Sequence, residues 1–185
     1  MVKSKFSATY AERIYTPTLS VKLSSMPMDE SEVEGLIEAA IEEGAIVYEK
    51  TLNDKSLRKD FFAHAALYRD GWEFKVVAEF NEHRNIDLLR TDNGEYWEIK
   101  SPEAKGEGKR PLRFIEGLFS DAKSQFRSHP DAPSDEVRMV VNTKYTPVSD
   151  QSIEQEIRRL LEDEKNQVVV SVVMVRKDGT VKKVK

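Results

Sequence analysis

The stretch from Asn85 to Pro102 reads Asn-Ile-Asp-Leu-Leu-Arg-Thr-Asp-Asn-Gly-Glu-Tyr-Trp-Glu-Ile-Lys-Ser-Pro, and it constrains the fold more than any other part of the chain. Asn93-Gly94 between two apolar runs is the signature of a tight β-hairpin, with strands predicted over 85–91 and 95–100. Side chains alternate across a strand, so Glu98 and Lys100 project from one face of the second strand. Asp87 stands on the partner strand, close enough for its carboxylate to join theirs. Two carboxylates and an ammonium at one point suit Mg²⁺-assisted hydrolysis of a phosphodiester. The hard cation takes oxygen ligands, and the ammonium can orient or deprotonate a water or neutralise a phosphate. A Glu-x-Lys by itself is common on the solvated face of a strand. The Asp ahead of it, the turn between them and the helix that follows make this one a candidate site.

Around the hairpin the chain alternates helical and extended patterns. Asp29 or Ser31 caps an acidic helix whose apolar stripe is Val33, Leu36, Ile37, Ala40 and Ile41, and Gly44 stops it. A second helix is predicted over 54–68, with Leu57, Phe61, Ala65 and Tyr68 inward and Gly71 beyond its end. Residues 72–80 read as a strand ahead of the hairpin. Residues 112–128 read as a helix facing inward with Leu112, Ile115, Leu118, Phe119, Ala122 and Phe126. A strand over 136–142, a helix over 149–164 capped at Ser149 or Asp150, and a strand over 168–175 follow. The turn Lys177-Asp178-Gly179-Thr180 leads into a final strand. The expected class is mixed α/β, a central mixed sheet flanked by helices, in the order α-β-β-β-α-β from the second helix onward. Residues 1–48 are expected to form an N-terminal arm, extended over 15–24, and the acidic helix; residues 49–185 form the main domain.

Composition narrows the function classes. A chain of 185 residues is long enough for a proper core. No apolar run reaches the length of a membrane span, and no apolar segment near the start marks a secretory signal. With no cysteine, disulfides and thiolate metal sites are excluded. The histidines at 64, 83 and 129 lack metal-ligand spacing. A net charge of −4 leaves nucleic-acid contact to local clusters. The best such cluster is Lys105, Lys109 and Arg110, in the Gly-rich loop after the hairpin, with Arg113, Lys123 and Arg127; it could close over a phosphate backbone. Trp72 and Trp97 read as core.

The hairpin with its neighbours resembles the PD-(D/E)XK nuclease superfamily. Asp87 matches the Asp of the first motif, with Ile86 where the family often has Pro, and Glu98-Ile99-Lys100 matches the second. More narrowly, Trp97-Glu98-Ile99-Lys100-Ser101-Pro102 followed by a helix carrying Gln125 is similar to the C-terminal tRNA nuclease domains of contact-dependent growth-inhibition toxins. Ala65-Ala66-Leu67 and the Asp70-Gly71 stop fit the same pattern. The resemblance covers roughly residues 50–175 and implies an α-β-β-β-α-β core with the acidic residues on the central hairpin. It implies a further acid on the first core helix, aligned with Asp60, with Asp54 and Glu49 as alternatives. Gln125, with Lys123, is implied to touch the scissile phosphate or to position Lys100.

On this reading Asp87, Glu98 and the Ile99 carbonyl hold Mg²⁺ or another divalent cation, and Lys100 orients the attacking water. If the RNA 2′-hydroxyl attacks instead, no metal is needed, and Lys100, Glu98 or a histidine acts as acid and base. The resemblance further implies a cytoplasmic site of action, delivery as part of a larger toxin, and a cognate immunity protein. A restriction or repair-type DNA endonuclease and a non-catalytic binding module on the same fold are the competing readings.

Overall fold

A computed structural model describes residues 28–48, 60–77, 86–103 and 112–185. The helices and strands come in the order α1 (Glu30–Glu42), β1 (Ile46–Tyr48), α2 (Phe61–Arg69), β2 (Phe74–Val76), β3 (Leu88–Arg90), β4 (Tyr96–Lys100), α3 (Arg113–Ser128), β5 (Val137–Asn142), α4 (Asp150–Leu161), β6 (Val169–Val175) and β7 (Val181–Lys183). The strands form one seven-stranded sheet in sequence order. Parallel pairs join β1 to β2, β4 to β5 and β5 to β6, while β3 and β7 run against their neighbours. The expected mixed sheet flanked by helices is the one observed, and α2 through β5 follow the order α-β-β-β-α-β. The predicted arm over 15–24 lies outside the described residues.

Alternation along the central strands sorts the core into two layers. Val140, Val173 and Val175 face α1 and α2, together with Leu88, Trp97 and Ile99. Met139, Val141, Val172 and Met174 face α3 and α4. Between α1 and the sheet, α2 buries every residue from Phe62 to Leu67, as a helix covered on most of its circumference must. The acidic helix shares this core through Val33, Ile37 and Ala40. Asp29 caps it, accepting from the Ser31 and Glu32 amides, and Glu32 completes the capping box. Ile41, placed on the inward stripe by its spacing, is instead about half exposed (48%). Ser149 supplies the α4 cap through the Ser152 amide at 3.2 Å. Asp150, the other predicted cap, accepts from Thr143 Oγ1. Trp72 and Trp97 are both buried and meet edge to face, with centroids 4.9 Å apart. Among the described residues no helix is long and apolar enough to cross a membrane.

The three-residue β1 is a strand that periodicity did not announce. It extends the sheet beyond β2 with Ile46 opposite Phe74. The predicted strand over 72–80 is observed over Phe74–Val76, residues 78–80 lying outside the described set.

Two glycines on turns show why left-handed backbone matters here. Gly94 closes the central hairpin at φ 74°, with no atom near the position a Cβ would take. Gly179, at φ 80° in the β6–β7 turn, lies against Met28, whose Cβ would be 2.7 Å from an added Cβ. The Met28 amide also donates to the Asp178 carbonyl at 2.8 Å. An alanine in this conformation costs about 1–2 kcal/mol. Gly94→Ala is therefore expected to lose stability of that order in urea unfolding. Gly179→Ala should lose clearly more, because the Met28 contact must also give way; equal losses would contradict the packing described for this turn.

Candidate active site

The candidate site is built where the hairpin ladder stops. Leu88 pairs with Trp97 and Leu89 with Tyr96, and the Arg90 amide donates to the Glu95 carbonyl at 2.9 Å. Continuing that register would bring the Ile99 amide to the carbonyl of residue 86. Instead the chain before β3 keeps to β2, where the Val77 amide donates to the Asp87 carbonyl at 2.9 Å. The Asp87 side chain fills the gap: the Ile99 amide donates to its Oδ2 at 2.7 Å. In an extended strand the N–H and C=O of one residue point to the same side. The Ile99 carbonyl therefore also faces the Asp87 side.

Glu98 stands next to this opening, on the face that looks toward α3. It is almost fully buried (1% exposed). Lys100 Nζ donates to Glu98 Oε1 at 2.7 Å and to Gln125 Oε1 at 2.6 Å. Glu98 Oε2 is buried without a hydrogen-bond partner, an expensive state for a carboxylate. Burial, reinforced by the neighbouring Glu98 charge, pushes Asp87 well above the usual carboxylate range. Burial raises Glu98 as well, against the pull of the Lys100 ammonium. A pair of carboxylates in this condition binds a proton more tightly than free carboxylates do, and an incoming cation would compete with it.

Among the described residues no three acidic or histidine side chains gather around one point. A cation here would thus have the two carboxylates and the Ile99 carbonyl as protein ligands, with water or substrate oxygens completing its shell, as suits Mg²⁺. The bare Glu98 Oε2 fits that arrangement.

Asp87, Glu98, Lys100 and Gln125 are thus brought together, with Ile99 beside them. Asp60 reaches the site by another route. It sits at the N-terminal end of α2, on the other side of the sheet from α3, and accepts from Ser101 Oγ at 3.1 Å. Asn142 Nδ2 donates to the same Ser101 hydroxyl at 3.0 Å, so Asp60 meets the residue that follows Lys100.

Helical phase separates Lys123 and Arg127 from the site. Lys123 and Arg127 each lie two positions from Gln125, about 200° around the helix. They fall on the far flank of the buried stripe Ile115, Phe119, Ala122 and Phe126. Lys123 Nζ donates to Asn166 Oδ1 at 2.7 Å and to the Lys165 carbonyl at 3.2 Å, not toward the Lys100 side. Arg127 and Arg113 are exposed. Lys105, Lys109 and Arg110 lie outside the described residues, as do His83, Asp54 and Glu49. His64 is core: it is 1% exposed, and its Nδ1 pairs with the Tyr48 hydroxyl at 2.9 Å. Burial pulls its pKa down to about 3.

Sequence reasoning missed Ser101 as the partner of Asp60, and Asn142, which donates to the same Ser101 hydroxyl. It also missed Tyr96 and His129, whose rings meet beside the site at 5.0 Å. Tyr96 was legible in principle, because it shares the strand face of Glu98 and Lys100.

No family model matches the chain, and no curated protein matches it. Among solved structures it is similar to the CdiA-CT/CdiI toxin and immunity complex from Burkholderia pseudomallei, at a TM-score of 0.49 and 18% identity. That likeness covers 74% of this chain and 92% of the other.

The raised carboxylates make a stability test. Their folded pKa values exceed the unfolded ones, so the folded state binds more protons between the two, and stability falls as pH rises through that window. Without divalent cations, the melting temperature of the wild type should fall as pH rises above the ordinary carboxylate range. Asp87→Asn keeps an acceptor for the Ile99 amide and removes the charge conflict, so its decline should be smaller. Mg²⁺ should stabilise the wild type more than the variant. Parallel pH profiles would show that the pair is not strained.

Proposed function

We propose that this chain is a metal-dependent nuclease of the PD-(D/E)XK type, hydrolysing phosphodiester bonds in RNA, with tRNA as the expected substrate. It acts as a toxin domain in the bacterial cytoplasm, delivered as part of a larger protein and neutralised in its producer by a cognate inhibitor. The observation that carries the reading is the open end of the hairpin, where Asp87, Glu98, Lys100 and Gln125 converge and one Glu98 oxygen is left bare.

Asp87, Glu98 and the Ile99 carbonyl would hold Mg²⁺ or a similar cation, which supplies positive charge against the phosphate and lowers the pKa of a water. Lys100 orients the attacking water and stabilises charge developing on the phosphate oxygens. Gln125 accepts a second Lys100 hydrogen and so fixes where the ammonium points. The choice of RNA and the toxin setting rest on the similarity of Trp97 through Pro102, with Gln125, to the nuclease domains of contact-dependent growth-inhibition toxins. Lys105, Lys109 and Arg110 follow the site directly in sequence and would offer cationic contact to RNA and to an acidic inhibitor.

Purified protein incubated with tRNA and with plasmid DNA, each with Mg²⁺ or EDTA, tests this reading. tRNA should be cut only with Mg²⁺. Glu98→Gln should slow cutting by about a hundredfold or more while leaving the fold intact. Lys100→Met should cripple turnover and keep metal affinity. Plasmid cut with tRNA spared would make the chain a DNA endonuclease, and binding without cutting of either would make it a non-catalytic module.

Charge reversal at Lys109 and Arg110 should weaken RNA binding and inhibitor binding together, read by titration of each partner. Loss of one without the other would separate the two surfaces.

A further inference from the structure

We propose that Tyr96 and His129, with Lys75 beyond them, form a base-stacking platform that takes an unpaired nucleotide next to the scissile phosphate. The inference builds on the nuclease reading and narrows its substrate to a single-stranded segment.

The placement comes from two elements that step away from the site together. Tyr96 precedes Glu98 by two residues on β4, which puts it on the same face about 7 Å along the strand. His129 follows Gln125 by one turn of α3, and its amide donates to the Gln125 carbonyl at 3.0 Å. The two rings meet at 5.0 Å with an interplanar angle of 50°. The Asp131 amide donates to His129 Nδ1 at 3.2 Å, so in the neutral ring Nε2 carries the proton. Both residues are half-buried, and Tyr96 packs against the α3–α4 core.

The neighbouring face supplies the complementary charge. Phe74 and Val76 pack into the α1–α2 layer, so Lys75 between them points to the face that carries Tyr96. Register sets Lys75 opposite Leu89, and Leu89 opposite Tyr96. Lys75 thus stands two strands from Tyr96, about 10 Å away. On this face Val47 is 45% exposed, while Lys75 and Leu89 are half-buried. Asp131 stands on the His129 side of Tyr96, while the Glu95–Arg138 ion pair (3.1 Å) lies on the Trp97 face of β4. A phosphate chain leaving the site would therefore run toward Lys75.

β4 uses its adjacent aromatics differently. Trp97 is buried against Trp72, whereas Tyr96 is turned to the site face. Aromatic side chains stack on bases only when those bases are unstacked from a helix, which is how proteins select single strands.

The test measures binding in a Glu98→Gln background, so that the probe is not cut. The probes are a short fluorescein-labelled single-stranded RNA and a blunt duplex of the same sequence, read by anisotropy. Base stacking on an aromatic is worth about 1–3 kcal/mol. Tyr96→Leu and His129→Ala should each weaken single-strand binding about 5- to 150-fold, with duplex binding unchanged and Tyr96→Phe close to the parent. Melting temperatures identify any variant that fails to fold, and His129→Ala carries the test if Tyr96→Leu does. Unchanged single-strand affinity in a folded variant, or equal loss for both probes, overturns the platform. If the wild type cuts RNA while the variants bind normally, the platform fails and the nuclease reading stands. If the wild type cuts nothing while the variants lose single-strand binding, the reverse holds.

Discussion

The hydrogen bond from the Ile99 amide to the Asp87 carboxylate, at 2.7 Å, replaces a rung of the β3–β4 ladder. Were β3 to stay paired with β4, the backbone would satisfy Ile99 and leave no opening. Because the chain ahead of β3 keeps to β2, Asp87 must satisfy the amide from the side. That duty pins its carboxylate beside Glu98. Glu98 in turn is closed in by α3, whose Gln125 accepts from Lys100. The four side chains follow from one break in a hairpin and the helix laid across it. The sheet's wide apolar contacts on both faces stabilise the break, since β4 is held on its other edge by parallel pairing with β5.

Such an arrangement opposes stability. Two carboxylates pushed above their usual range, with a single ammonium bonded to Glu98 and one Glu98 oxygen unpartnered, cost free energy that hydrophobic residues of like size would not. A fold keeps such a cluster where another species is to enter and relieve it. The buried His64 differs: it sits among Tyr48, Phe61 and Phe74, and burial holds its pKa well below the usual histidine range.

The hairpin, its turn and the shared face of Glu98 and Lys100 were readable because they depend on local periodicity and turn chemistry. The order of the later elements was readable for the same reason: α3 and α4 carry strong apolar stripes, and β5 and β6 are long apolar runs. β1 escaped notice because three residues hold no periodicity, and its strand character comes from pairing with β2. Ile41 fits the α1 stripe by spacing but lies beyond what α2 covers. The cation cluster was grouped by nearness in sequence; of its described members, Lys123 and Arg127 fall across the stripe from Gln125. Asp60 was sought as a member of the carboxylate group, yet it bonds Ser101 across the end of β4, a contact set by tertiary packing alone.

Anomalous scattering from crystals grown with Mn²⁺ would show whether a cation binds at the open end of the hairpin. One strong peak is expected, bounded by the Asp87 and Glu98 carboxylates and the Ile99 carbonyl and absent from the Asp87→Asn, Glu98→Gln double variant. Bare density at that position in the wild type, together with RNA cleavage that persists in EDTA, would contradict the cation site.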